Sequence, residues 1–221
     1  MLNQLDKWLT HFALPTGADK PCIGVSACLL GRPVRYDGED KRDPLISERL
    51  SQHVELREFC PEVGIGMSVP RPPIQVVQVG ERLRIQAVEP PHTDVTDALH
   101  QYGQRIADDL DGFVLKARSP SCGVDSTPVM DTRGDQVGLD SGEFARTLQQ
   151  RFPCAPLVDE SALPDDAALT ALLLMLHLYR HWRSAPSLTQ VYDWHEQTPS
   201  LPDALALPIR QYLERLAAHS Q

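Results

Sequence analysis

Three cysteines constrain this chain more than any other feature, because each stands in a Gly-, Pro- or Ser-bounded loop that follows an apolar, strand-like run. They are Cys28 in Gly24-Val25-Ser26-Ala27-Cys28-Leu29-Leu30-Gly31, Cys60 in Cys60-Pro61-Glu62, and Cys122 in Ser119-Pro120-Ser121-Cys122-Gly123. Side chains so far apart in sequence meet only if their strands end side by side, and open parallel sheets place ligands at that carboxyl edge. Four thiolates would close a structural metal site, whereas three leave one corner of a metal centre open for a water or a substrate. Taken singly, each cysteine also fits a plainer role, since cysteine is among the most buried residue types and often serves as a small hydrophobe.

Each loop has its own chemistry. Pro61 lacks an N–H and biases Cys60 toward an extended backbone, which fixes the angle of its sulfur. In the third loop Pro120 stiffens the chain, the hydroxyls of Ser119 and Ser121 are free to donate hydrogen bonds to sulfide or substrate, and Gly123 is expected to take a left-handed turn. Cys22 and Cys154 differ, each opening an apolar stretch (Cys22-Ile23-Gly24-Val25 and Cys154-Ala155-Pro156-Leu157-Val158), and are expected to be core residues.

The periodicity predicts an amphipathic N-terminal helix, a linker over 15–19, strands over 23–27 and 54–59, and a helix over 45–52 between them. Residues 74–79 and 82–87 flank a Gly80 turn and are expected to pair as a hairpin. Asp94 is expected to cap a helix running to Leu110, with Val95, Leu99, Tyr102 and Ile106 on one face. A buried strand over 112–116, a helix over 141–150 and a strand over 155–158 complete the alternation. Beyond Glu160 the pattern turns helical: Pro164-Asp165-Asp166 opens a helix reaching Trp182 with an acidic first turn, and shorter helices follow over 188–195 and 203–218. The expected fold is α/β, a mainly parallel central sheet flanked by helices. The expected divisions are 1–19 (helix and linker), 20–160 (the cysteine-bearing domain) and 161–221 (a helical extension).

Composition excludes several classes. Five cysteines, an odd number unevenly spaced, do not make a secreted disulfide framework. The N-terminal apolar residues are interrupted by charge, unlike a signal peptide, and the longest apolar stretch, 167–176, is too short to span a bilayer, so a cytoplasmic protein without a membrane partner is expected. The net charge of −9 opposes tight polynucleotide binding. Arg32, Arg35, Lys41, Arg42, Arg71 and Arg118 nevertheless fall in or near the expected site loops, either as ordinary surface charge or to steer an anionic substrate.

Other constellations carry less. His177 and His181 have metal-ligand spacing on a helix but lack the glutamate of a zinc hydrolase motif, and Gly64-Ile65-Gly66 lacks the third glycine of a phosphate fingerprint. A Cys/His nucleophilic pair using His53 or His92 beside Cys60 or Cys122 would leave the remaining loop cysteine unexplained.

Taken together, Ser26-Ala27-Cys28-Leu29-Leu30-Gly31, Val34-Arg35-Tyr36-Asp37-Gly38, Cys60-Pro61-Glu62-Val63, Pro70-Arg71-Pro72-Pro73, Asp94-Val95-Thr96 and Lys116-Ala117-Arg118-Ser119-Pro120-Ser121-Cys122-Gly123 resemble the thiouracil desulfurase (TudS-like) family over about residues 20–160. The resemblance implies a [4Fe–4S] cluster on Cys28, Cys60 and Cys122, a free iron that takes the sulfur of a thiolated pyrimidine, and Ser119 near the substrate. Soft sulfur matches an open iron acting as Lewis acid while water attacks the ring carbon, with Ser119 and Glu62 as candidates for moving protons. Arg35, Arg71 and Ser121 are candidates for substrate binding, and Glu58 is expected on the strand surface. Small thiolated pyrimidines come first as substrate and 4-thiouridine in tRNA second. The competing class is a non-catalytic iron–sulfur or zinc redox-sensing module.

Overall fold

A computed structural model of the chain describes residues 1–17 and 20–220; Ala18 and Asp19, which end the expected linker, and Gln221 lie outside the described residues. The expected parallel sheet is present. Its strands are β1 (Cys22–Ser26), β2 (Glu55–Phe59), β5 (Gly112–Leu115) and β8 (Leu157–Asp159), in the spatial order β2-β1-β5-β8 and parallel throughout. Ile23, Val25, Phe113, Val114 and Leu115 have no exposed surface, as expected for strands buried on both faces. Gly24 is demanded by packing: a Cβ there would lie 2.6 Å from Phe113 Cδ1.

A second sheet was not expected in full. The hairpin of β3 (Ile74–Val79) and β4 (Arg82–Ala87), with Val76 opposite Ile85, is joined by β6 (Thr127–Met130) and β7 (Gln136–Asp140) in the order β4-β3-β6-β7. Pro128 and the shortness of β6 hid it, since proline demotes a strand reading. Helix α3 (Thr96–Gln104) seals the inner face of this sheet, where Leu99 packs with Val76, Ile85 and Val129.

Helix boundaries moved for identifiable reasons. Helix α3 stops short of Leu110 where Arg151 Nη1 donates to the carbonyls of Gly103, in its last turn, and Ile106, just beyond it, both at 2.8 Å, capping the helix end. Its cap is Val95, one residue past Asp94, although the Asp94 carboxylate still accepts from Thr96 N at 2.9 Å. The expected helix over 45–52 is a π-helical turn, Leu45–Arg49, running into a 3-10 turn, Leu50–Gln52. Helix α4 (Glu143–Arg151) begins two residues late, with Gly142 as its cap, while the Ser141 hydroxyl serves Asp125 at 2.7 Å.

Helices α1 (Leu5–His11), α5 (Asp166–Ser184), α6 (Leu188–Gln197) and α7 (Asp203–Ala218) form the remaining layer. Helix α5 opens as expected, with the Asp165 carboxylate accepting from Ala167 N and Ala168 N. It packs so closely on the parallel sheet that a Cβ on Gly112 would meet Leu176 Cδ2 at 2.5 Å. Trp194 Nε1 of α6 donates to Phe12 O at 3.1 Å, so the two ends of the chain share this layer. No helix among the described residues is long and apolar enough to cross a membrane.

Candidate active site

The carboxyl ends of the parallel strands open onto one cavity of about 510 Å³, and Cys28, Cys60 and Cys122 all line it. Cys28 sits in the 3-10 turn Ala27–Leu30 directly after β1, closed by Gly31 at φ 90°. Cys60 follows β2 and caps the short helix α2 (Pro61–Gly64) in the extended conformation that Pro61 favours, φ −130° and ψ 99°. Burial raises its thiol pKa above the ordinary value, and the N–H groups of Val63 and Glu62 oppose that shift.

Cys122 is held by a loop that the start of α4 fastens. Ser119 Oγ accepts from Ser121 N at 3.3 Å and Cys122 N at 3.2 Å. Gly142 N, Glu143 N and Ala145 N donate to the carbonyls of Gly123, Pro120 and Ser121 at 2.8, 3.2 and 3.1 Å. The expected left-handed turn at Gly123 is absent; positive φ falls instead on Arg118 (59°) and Asp125 (49°). Gly123 is required for proximity, because a Cβ there would lie 2.2 Å from Thr127 Oγ1.

The thiols share one electrostatic environment. Burial pushes Cys28 up to about 11, with Cys60 adding to the shift and Lys116 and Arg35 opposing it. Burial raises Cys122 further still, and the Ser26 hydroxyl opposes that shift. Protonated thiols of this kind lose their protons when they become metal ligands. No three His, Cys, Asp or Glu side chains among the described residues converge on a single-ion site. A cluster makes a different demand, because its thiolates bind separate irons and need only face one concavity. Three cysteines on one cavity, soft donors with small polar neighbours, fit that demand.

Glu62 and Arg71 also line the cavity, as a buried ion pair. Arg71 Nε donates to Glu62 Oε2 at 2.7 Å, Nη2 to Val34 O at 2.9 Å and Nη1 to Ser68 O at 3.2 Å, so its fork clamps the loops around Cys60 rather than standing ready for an anion. Glu62 Oε1 accepts from Ser121 Oγ at 3.0 Å. Ser121, expected at the substrate, has no exposed surface and does not line the cavity; its hydroxyl reaches the site through Glu62. Ser119 and Arg35 do line it. Arg35 Nη2 donates to Asp37 at 3.0 Å, while its buried Nε has no hydrogen-bond partner.

Lys41 and Arg118 line the cavity as well, whereas Arg32 and Arg42 pair with Glu58 and Glu48. Glu58 is exposed on its strand, as expected. Neither His53 nor His92 lines the cavity, and His177 and His181 border a different one with Asp108 and Arg183. Cys22 begins β1, at the far end of the strand from Cys28, and is only half-buried rather than a core residue because it stands at the strand's open end, whereas Cys154 lies in the core as expected, its carbonyl accepting from Tyr212 Oη at 2.9 Å. The sequence reading missed the wall formed by Ile74, Gln75, Pro128 and Met130, which belongs to the second sheet. It also gave no role to Lys116, whose ammonium pairs with Glu160 beneath Ala117.

Residues 23–160 match the 2-thiouracil desulfurase family. The chain is similar to a solved structure described as a [4Fe–4S]-dependent thiouracil desulfidase, TudS, with 30% identity over 66% of this chain and 94% of that one, at a TM-score of 0.51. No curated protein matches it.

Proposed function

The chain belongs to the 2-thiouracil desulfurase family, and from that premise we propose that it binds a [4Fe–4S] cluster through Cys28, Cys60 and Cys122 and removes the sulfur of a small thiolated pyrimidine. The observation that carries this reading is the meeting of three thiols from three separate strand ends on one cavity. Among the described residues, the remaining cysteines, Cys22 and Cys154, lie outside that cavity. A structural zinc module would need a fourth ligand.

When bound, the cluster supplies an iron without a protein ligand, a soft Lewis acid suited to thiocarbonyl sulfur. The net change is C=S + H₂O → C=O + H₂S, so one water must be activated and the departing sulfur protonated. Ser119 Oγ accepts two loop N–H groups on the cavity wall, so its own O–H is free to donate to the cavity contents. Glu62, with its carboxylate fixed by Arg71 and Ser121, is the base that holds the attacking water. Arg71 is a positioning residue for Glu62.

A cavity of about 510 Å³ matches small-molecule sites in size. With the net charge of −9, this favours a free base, nucleoside or nucleotide over thiolated tRNA. The test is anaerobic reconstitution with iron and sulfide, followed by sulfide release from 2-thiouracil, 4-thiouracil, 4-thiouridine monophosphate and thiolated tRNA at two salt concentrations. Turnover of tRNA far above every small substrate, falling steeply with salt, would reverse the substrate order.

A further inference from the structure

Tyr36 is a large aromatic side chain left 44% exposed, yet it lines the cavity and its backbone is tightly fixed. Its carbonyl accepts from Arg71 N at 2.9 Å. The turn that carries it is closed by Gly38 N to Arg35 O at 3.0 Å, with Gly38 at φ 80°. An exposed ring on a rigid turn at a cavity mouth is a platform awaiting a flat partner. Beside it, the Arg35 guanidinium carbon lies 5.5 Å from the Tyr36 ring centroid, and Nη2 is tied to Asp37. The side chain is 20% exposed, but its Nε is buried and lacks an acceptor among the described residues. That Nε has almost no surface for an entering molecule to touch, whereas Nη1 of the same cavity-lining side chain has no hydrogen-bond partner among the described residues and is open to an acceptor on whatever enters.

We propose that Tyr36 and Arg35 together recognise the pyrimidine ring: Tyr36 stacks on its face, and the Arg35 guanidinium, through Nη1, donates to the ring carbonyl that is not undergoing desulfuration. This deepens the desulfuration reading and rests on it. The assignment has a consequence for specificity. In 2-thiouracil position 4 carries a carbonyl acceptor, whereas in 2-thiocytosine it carries an amino donor, which would face the Arg35 N–H donor to donor. A site with a fixed donor discriminates against an analogue that lacks the acceptor. The cluster-loaded enzyme is therefore expected to favour 2-thiouracil over 2-thiocytosine in kcat/KM by at least about tenfold.

The experiment uses cluster-loaded wild type, Tyr36→Leu, Tyr36→Phe, Arg35→Gln and Arg35→Lys, with iron content and circular dichroism checking that each variant is folded and loaded. Tyr36→Leu is expected to raise KM about tenfold or more with kcat little changed, and Tyr36→Phe to recover most of that loss. Arg35→Gln and Arg35→Lys are both expected to narrow the 2-thiouracil to 2-thiocytosine ratio, since neither reproduces the fixed guanidinium donor at that place. An unchanged KM in Tyr36→Leu, or an unchanged ratio in both Arg35 variants, overturns the corresponding half of the proposal. Calorimetric binding of uracil, the product, separates this proposal from the reaction itself. If wild type binds uracil and Tyr36→Leu binds it weakly while no thiopyrimidine is desulfurated, the recognition element stands and the reaction is wrong. Equal uracil binding by wild type and Tyr36→Leu, or none by wild type, overturns the recognition element whatever the turnover.

Discussion

Arg71 and Glu62 form an ion pair at 2.7 Å with side chains only 3% and 13% exposed, and the same guanidinium reaches Val34 O, ahead of the Tyr36 turn. One cation therefore binds the loop after β1, the Cys60 loop and the carboxylate beside the cavity into a single unit. Such a pair does not by itself imply extra stability, since desolvation offsets much of the attraction, but breaking it from one side leaves a buried charge.

Arg71→Met is accordingly expected to destabilise the fold by about 3 kcal/mol or more, because the buried Glu62 loses its counter-charge and the Val34 and Ser68 carbonyls lose the guanidinium as a donor. Glu62→Gln should cost less, since the amide oxygen still accepts from Arg71 or Ser121. In chemical denaturation, the double variant Arg71→Met/Glu62→Gln should be less destabilised than the sum of the two single variants. Strict additivity would mean that the pair is not coupled.

The proposed ligand set predicts a sharp division among the cysteines. Serine at position 28, 60 or 122 should abolish the brown colour and iron content of anaerobically reconstituted protein, while Cys22→Ser and Cys154→Ser should retain both. Exposure to air or an iron chelator should bleach the loaded protein. A colourless protein that holds one zinc firmly would point to the structural module instead.

Gly142 tests how Cys122 is held. A Cβ at this position would lie 2.5 to 2.7 Å from Ser121 C, Ser121 O and Pro120 O, backbone atoms that cannot step aside as a flexible side chain would. Gly142→Ala should displace the loop, cost about 1–3 kcal/mol and lower iron retention. Gly138→Ala is the control: nothing lies within 4 Å of its Cβ, and stability and iron content should be unaltered.

Much of this site was legible in the sequence because its parts are local. Cys28, Cys60 and Cys122 each follow a strand of the parallel sheet, and the strand periodicity that marks those strands also marks their ends. Pro61 fixes the conformation of Cys60 through its own ring, so no tertiary information was needed there. The roles of Ser121 and Arg71 were not legible, because they depend on which way a side chain turns. Ser121 turns inward to Glu62, and Arg71 spends its donors on Val34, Ser68 and Glu62. The wall formed by Pro128 and Met130 was hidden for a different reason: β6 is a short strand containing proline, and only its pairing with β3 makes it a strand.

Ser119→Ala separates loop shaping from proton transfer. The hydroxyl oxygen accepts Ser121 N and Cys122 N, so its loss should cost about 1 kcal/mol of stability. If it also moves a proton, kcat should fall by about a hundredfold or more with iron content preserved. A fall in turnover only in proportion to lost iron would reduce Ser119 to a loop residue.

Tyr212 shows how firmly the C-terminal helices, which lie outside the region matched to the family, are joined to the sheet domain. Its hydroxyl donates to Cys154 O at 2.9 Å, just ahead of β8, and only 4% of the residue is exposed. Burial raises its pKa well above the ordinary 10.0, more than the nearby Arg215 lowers it. The folded state thus holds the phenol proton more tightly than the unfolded chain. The resulting contribution to stability is fully present below pH 10 and is lost as pH rises above it, because only the unfolded chain then gains by ionising. Tyr212→Phe should remove that part of the alkaline destabilisation. At neutral pH it should cost about 1–3 kcal/mol, for it leaves the Cys154 carbonyl buried without its donor. Denaturant midpoints for wild type and Tyr212→Phe, measured at neutral pH and again above pH 10, should therefore converge at high pH. A difference that stays constant across that range would show that the Tyr212 phenol ionises without resistance and that α7 is only loosely held against the segment ahead of β8.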